Sequence, residues 1–432
     1  MFAKKISMAA DAATTTYKSL EVNFQIYQYG RSKCVMKGEK MNNFVQYTPT
    51  EVVFGRDTEK QAGAEAVKWG GSRILLVYGG GSVVRSGLLQ RVEDSLTAAG
   101  LVYQEFGGAQ PNPTLAHAEE GVKQALDFKA DMILAVGGGS AIDTAKAIAH
   151  GTANPKTELW DIWQGKAKLT RSLPVGVVLT IAAAGSEMSD SAVLTNEGTG
   201  KKAGLSTDFN RAKFAIMNPA LTFTLPKYQM ACGVTDIMMH TMERYFISGI
   251  SCSLTDEIAE GLLRTVIANG RIVMKEPENY DAQAEIMWCS SLSHNGLTEA
   301  GRGKDFSVHK FGHALSAKYH VAHGASLASV WGSWAKYLYE GAIDRFAQFA
   351  RKVWGIEEMD DGEAARKGIE ATVDYFREIG MPVCLEELGV KPTQEDLQAL
   401  AMDATMNDSV KLSRIRPVGA KEALEILQMA LK

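Results

Sequence analysis

The chain carries no surplus of either charge, no paired cysteine motif and no long apolar run, and each absence removes a class of function. A formal net charge of −4 over 432 residues gives no electrostatic reason to expect nucleic acid or an anionic membrane as partner. The five cysteines (Cys34, Cys232, Cys252, Cys289, Cys384) are odd in number, scattered, and form no C-x-x-C pair. That argues against a disulfide framework and a structural zinc knuckle, and it suits a reducing compartment; a cytoplasmic setting is expected. No window approaches the roughly 18–20 apolar residues of a membrane helix. Histidine is scarce as well, with eight in the chain. What is present, 46% hydrophobic and 22% charged residues, matches an ordinary globular protein long enough for two domains.

Residues 1–40 differ in texture from the rest. They are basic and lack the apolar stretch of a secretory signal, whereas Met41 opens "MNNFVQYTPTEVVFG", which reads as the start of a folded domain. An extension, disordered or arising from an upstream mis-called start, is expected there, with a transit peptide as the alternative. From Met41 to about Leu225, apolar runs such as "SRILLVY" (72–78), "ADMILAV" (130–136) and "SLPVGVVLT" (172–180) alternate with helical stretches. Runs of that length predict buried parallel strands. After Pro226 the pattern becomes helical, with helices expected over 227–247, 253–275, 279–296, 305–319 and 324–339. The fold class expected is an α/β nucleotide-binding domain (41–225) joined to an all-α metal-binding domain (226–432), with a cleft between them.

Two turns stand out in the first of these. "AVGGGSAIDTAKAIAH" (135–150) places three glycines between a strand and a helix, a geometry that suits a pyrophosphate, although a tight turn needs glycine anyway. The earlier turn, "VYGGGSVVRSG" (77–87), lacks the carboxylate that would hold the adenosine ribose hydroxyls of NAD(H). Gly79, Gly80 and Gly81 lead instead to Ser82 and Arg85, a hydroxyl and a guanidinium that can take a 2′-phosphate. A dinucleotide bound there is expected to be NADP(H).

Four of the eight histidines fall in "HKFGHALSAKYHVAH" (309–323). Asp236 and His240 are four apart on one expected helix and His309 and His313 four apart on another, while His323 follows a break before Gly324. Three imidazoles and one carboxylate suit Zn²⁺ or Fe²⁺ better than Ca²⁺ or Mg²⁺. His294 and His320 are expected to stand apart, and His117 and His150, in the other domain, are assigned no role.

In order, "YGGGS", "PNPT" (111–114), "VGGGSAIDTAKA", "AGSE" (184–187), "GVTDIMMHTMERY" and "HKFGHALSAKYHVAHG" resemble the iron-containing, or group III, alcohol dehydrogenases. The likeness runs from about Met41 to the end. It is strongest for NADPH-dependent butanol dehydrogenases and broad-range aldehyde reductases, which share "YGGGSV" and "KEPENYD" (275–281). The resemblance implies the dehydroquinate synthase-like fold of that family and a divalent metal held by Asp236, His240, His309 and His323. It implies that His313 faces nicotinamide and substrate. Cofactor contacts would fall at Gly80 and Ser82 near the 2′-phosphate, in the turn that also carries Gly79 and Arg85, and at Gly137, Gly138, Gly139, Ser140 and Asp143 around the pyrophosphate. Thr180, Ser189, Lys202 and Thr222 would add others, and a homodimer or higher homo-oligomer is implied. Ala184 departs from the threonine common in that turn, and Trp331-Gly332 replaces a proline-containing stretch.

The activity expected is NADP(H)-linked interconversion of a small primary alcohol and its aldehyde, with the metal as Lewis acid and His313 relaying the proton. Phe306, Trp331 and Trp334 are expected near the cleft. A dehydroquinate-synthase-type metal/NAD lyase is a rival, but it lacks the D-x-x-x-H pairing and prefers an acidic residue near Gly79. A non-catalytic metal- or nucleotide-binding protein is the other.

Overall fold

Strand-forming runs at 73–79, 132–137 and 175–179 are almost wholly apolar, which is what burial on both faces of a parallel sheet demands. In the computed structural model, which describes residues 41–432, these runs lie side by side. The expected extension over 1–40, with Cys34, lies outside the described residues. Six strands, β1 (Glu51–Phe54), β2 (Arg73–Gly79), β3 (Val102–Ala109), β4 (Met132–Gly137), β5 (Val175–Leu179) and β8 (Phe214–Met217), form a sheet of order β1-β8-β5-β4-β2-β3, parallel throughout. The chain moves outward from β2 to β3, then returns to place β4 on the other side of β2. Strand order therefore reverses between β2 and β4. In open α/β sheets a ligand crevice forms at that reversal, beyond the carboxyl ends of the strands.

Two features were not legible as such. β1 pairs with β8, about 160 residues later in sequence, and β6 (Ser191–Asn196) and β7 (Lys201–Ser206) form a separate antiparallel hairpin. The hairpin is half exposed, so its strands alternate instead of running apolar.

Beyond β8 no further strand occurs among the described residues. Helices occupy Lys227–Tyr245, Ser253–Lys275, Tyr280–His294, Ser307–Tyr319 and His323–Leu338, close to the spans read from the sequence. Their ends have local causes. Asn279 accepts the Ala282 N–H and so caps the 280–294 helix. Phe306 and His320, at φ +70° and +54°, bracket the 307–319 helix. One hydrophobic core runs from the lower face of the sheet (Leu75, Leu179, Met217) into the helices (Ile237, Met238, Trp331). The described residues, 41–432, accordingly form one compact unit.

Candidate metal centre and dinucleotide site

Three helices bring the candidate ligands together, and glycine lets them approach. A Cβ on Gly324 would stand 2.3 Å from the Cys232 carbonyl oxygen, so the helix beginning at His323 abuts the 227–245 helix backbone to backbone, one turn before Asp236. A Cβ on Gly312, between His309 and His313, would reach 2.6 Å from Leu327. The 307–319 and 323–338 helices are joined by only His320, Val321 and Ala322.

The result is a convergence on one oxygen. Asp236 Oδ1 lies 3.4 Å from His240 Nε2, 3.4 Å from His309 Nε2 and 3.7 Å from His323 Nε2. Asp236 Oδ1, His309 Nε2 and His323 Nδ1 are buried and have no hydrogen-bond partner. Ligand atoms of Asp236, His309 and His323 fall within 4.8 Å of one another. Donors about 2.1 Å from a tetrahedral cation stand roughly 3.4 Å apart, so the distances of the three Nε2 atoms from Asp236 Oδ1 fit Fe²⁺ or Zn²⁺. The mutually close group is Asp236, His309 and His323, without His240.

Burial holds His240 and His313 well below the usual imidazole range and pushes His323 down to about 3; all three are neutral donors at pH 7. His309 goes the other way. Burial opposes its charging, yet the carboxylates of Glu243 and Asp236 raise it to about 9. Burial would likewise raise Asp236, but His323 and His309 keep its carboxyl below the ordinary value.

Two partners escaped the sequence reading. Glu243 accepts a hydrogen bond from the His309 ring at Nδ1, and His294, expected to stand apart, shares a 2.8 Å hydrogen bond between its Nδ1 and that of His240. Glu243 could have been found, because it stands seven residues after Asp236 and three after His240 on the same helical face. His294 lies 54 residues from its partner and gives no local signal. Of the three aromatic residues expected nearby, Phe306 is in place, its ring centroid 5.1 Å from His309 and 5.8 Å from His240. Trp331 and Trp334 pack instead against Phe376 and Phe246 in the helical core.

Both glycine turns sit at the strand reversal. Gly79 ends β2, Gly80 and Gly81 form the turn, and Ser82 opens a one-turn helix ending at Arg85; Gly81 has φ +87°. Gly137 ends β4, Gly138 precedes the Gly139–Ala153 helix, and Ser140 lies in its first turn. A Cβ on Gly137 would stand 2.7 Å from that of Ala141, and one on Gly138 3.1 Å from Ile181. The "AAAGSE" turn bridges these elements to the metal centre. The Ala184 Cβ lies 3.6 Å from the position a Gly139 Cβ would take, and the Ala182 carbonyl lies 2.3 Å from that of Gly233 on the 227–245 helix.

Of the other expected cofactor residues, Thr180 donates its backbone N–H to Gly137. Lys202 donates to Asn112 Oδ1 at 2.8 Å. Burial lowers Lys202 to about 8 against the pull of Asp143 and Asp236. Asp143, Ser189 and Thr222 are occupied by the protein itself. Asp143 accepts from Ser186 Oγ (2.6 Å) and the Val193 N–H (2.9 Å). The Thr222 hydroxyl donates to the Pro219 carbonyl at 2.7 Å, and Ser189, also buried, exchanges hydrogen bonds with Ser191.

Comparison with known proteins identifies the family of this fold. The iron-containing alcohol dehydrogenase family model matches residues 49–219, and the model for the C-terminal part of that family matches 230–431. NADH-dependent butanol dehydrogenase A of Clostridium acetobutylicum is 38% identical over 90% of this chain and 99% of its own length. NADPH-dependent aldehyde reductase YqhD of Escherichia coli is 37% identical over 81% and 90%. The crystal structure of NADH-dependent butanol dehydrogenase A from Thermotoga maritima superimposes with a TM-score of 0.87 at 38% identity, covering 91% of this chain and 99% of that one. Fold, turns and ligand cluster thus lead to one conclusion: the chain belongs to the iron-containing alcohol dehydrogenase family.

Proposed function

We propose that the protein is a metal-dependent, NADP(H)-linked oxidoreductase that interconverts small primary alcohols and aldehydes. The observation that carries this reading is the convergence of three imidazoles on Asp236 Oδ1, with unpartnered buried donor atoms, next to the turn that joins it to the strand reversal. Asp236, His240, His309 and His323 would hold the cation. When bound, the cation supplies Lewis acidity toward a carbonyl or hydroxyl oxygen, and the nicotinamide supplies or takes the hydride.

The chain's own residues do the rest. Gly137, Gly138, Gly139 and Ser140 present backbone to a pyrophosphate, while Asp143 and the "AGSE" turn brace them. Thr180, just after β5, and Lys202, on the β6–β7 hairpin, are assigned further contacts with the cofactor. His313 is half-buried, neutral and stacked on His323 with ring centroids 5.4 Å apart. One ring nitrogen of neutral His313 gives the proton that balances hydride transfer as aldehyde becomes alcohol while the other takes one from solvent, and the relay runs backward in the reverse direction. Phe306 provides an apolar wall, which suits an aliphatic or aromatic aldehyde.

NADP(H) is favoured by the 79–85 turn, which has no carboxylate and offers Ser82 and Arg85. Relatives' names divide on this point, with NADH in the butanol dehydrogenases and NADPH in YqhD. A homodimer or larger homo-oligomer fits the exposed Phe44, Val45 and Tyr47 on the segment leading into edge strand β1. The free thiols of Cys232, Cys252, Cys289 and Cys384 suit the cytoplasm.

The test is His309→Ala, assayed by NADPH-dependent reduction of butanal through the absorbance of the reduced nicotinamide. A fall of about 10³-fold is expected, the loss of several kcal/mol of Lewis-acid stabilisation. Undiminished turnover would refute the metal assignment. No butanal-dependent oxidation of NADPH or NADH by the unmutated protein would favour a purely binding role.

A further inference from the structure

Glu243 is 1% exposed, and both of its carboxylate oxygens serve His309. Oε1 accepts the His309 backbone N–H at 3.1 Å, and Oε2 accepts from the ring at Nδ1. That backbone N–H lies in the first turn of the 307–319 helix, where no helical carbonyl is available to it. One carboxylate therefore fixes the ligand's backbone and its ring together. A neutral imidazole that donates from Nδ1 has its lone pair at Nε2, so once the cation displaces the second proton of His309 the free lone pair is on the atom facing Asp236.

His240 is held by a different group to the same end. Its Nδ1 stands 2.8 Å from His294 Nδ1, and only one of those two nitrogens can carry the shared proton. With the proton on His240, its Nε2 lone pair points at Asp236, 3.4 Å away, and His294 acts as acceptor. His294 is buried between His240 and Phe306, with no other imidazole tautomer giving a hydrogen bond that leaves His240 Nε2 free.

We propose that Glu243 and His294 are positioning residues for the cation, selecting in His309 and His240 the tautomer whose Nε2 is free to bind it. This rests on the metal reading above and adds which atoms of the chain set the ligands' protons. The chemistry of the partner is decisive. Glu243→Gln keeps the shape but replaces one acceptor by an NH₂ donor. Whichever contact the remaining oxygen serves, the amide faces either the backbone N–H or the ring. The backbone N–H cannot yield its proton, so the remaining oxygen serves it, the amide faces the ring, and the ring proton moves to Nε2, where the cation must sit.

The experiment compares the metal-free wild type with Glu243→Gln, His294→Leu, His294→Asn and Asp236→Asn. Each is titrated with Co²⁺, whose visible absorption reports its coordination, with affinity set by competition against a chelator. Thermal melts of the metal-free forms report folding. Glu243→Gln and His294→Leu are expected to weaken Co²⁺ binding about 10- to 100-fold and alter the spectrum. His294→Asn, whose side-chain oxygen can stand where Nδ1 stood, is expected to recover most of the affinity. Wild-type affinity and spectrum in both Glu243→Gln and His294→Leu would overturn the proposal while Asp236→Asn still loses the ion. If Glu243→Gln fails to fold, the contrast of His294→Leu with His294→Asn decides. A wild type that takes up no cobalt would overturn the metal reading and this inference with it.

Discussion

His150 and His309 are both buried in this protein, yet their surroundings differ in the one respect that matters. His150, in the 139–153 helix, has both ring nitrogens satisfied, by Ser172 Oγ and Asn210 Oδ1 at 2.8 Å each. His309 has one nitrogen held by Glu243 and the other aimed, without a hydrogen bond, at the oxygen that two more imidazoles also face. A fully partnered buried histidine is part of the fold. One with an orphaned nitrogen among other donors is waiting for something. Burial alone does not separate the two.

The contrast can be broken most severely at Gly324. In Gly324→Ala the new methyl would lie 2.3 Å from a backbone oxygen, which cannot swing aside, and the helix carrying His323 must move away from Asp236. A stability loss of about 3 kcal/mol or more is expected in denaturant melts, with weakened cobalt binding as the second readout. Loss of stability with cobalt affinity intact would show that the two helices do not set the ligand spacing.

The structural histidine gives the next effect, and it should leave the metal centre untouched. Burial lowers His150 to about 4 from an ordinary 6.5. Between those values the unfolded chain binds a proton that the native state refuses. The contribution is therefore complete above pH 6.5 and is lost as pH falls toward 4, about 3 kcal/mol in all. His150→Gln should flatten this acid limb, cost about 1–3 kcal/mol at pH 7 through the lost hydrogen bonds, and keep wild-type cobalt affinity. An unchanged acid limb would mean another group titrates there.

The smallest effect belongs to the nucleotide turn. Replacing Ser82 and Arg85 together by alanine is expected to lower kcat/KM for NADPH about 10- to 100-fold, the worth of one or two charge-assisted hydrogen bonds, while kcat/KM for NADH stays put. A wild type that prefers NADH would defeat the reading of that turn outright.

Much of this was open to view in the sequence, because the strongest signals are local. Asp236 with His240 and His309 with His313 share helical faces by spacing alone, and the glycine turns follow recognisable strands. What stayed hidden depends on contacts between distant segments. The pairing of β1 with β8, the His240–His294 bond and the clash-free seat of Gly324 against Cys232 exist only once the chain has closed. Trp331 and Trp334 misled for the opposite reason. Large apolar residues near a ligand in sequence are as well suited to a core, and their helix turns them there.

The backbone contacts at Gly233 and Gly324 have a last consequence. With helix and turn touching main chain to main chain, the width of the cage between the imidazoles is inherited from rigid parts and not from supple side chains. Such an enclosure cannot breathe to suit its guest. Ions of the wrong radius or coordination habit would have to strain their own bonds, so discrimination among cations would reside in the skeleton of the protein behind the ligands.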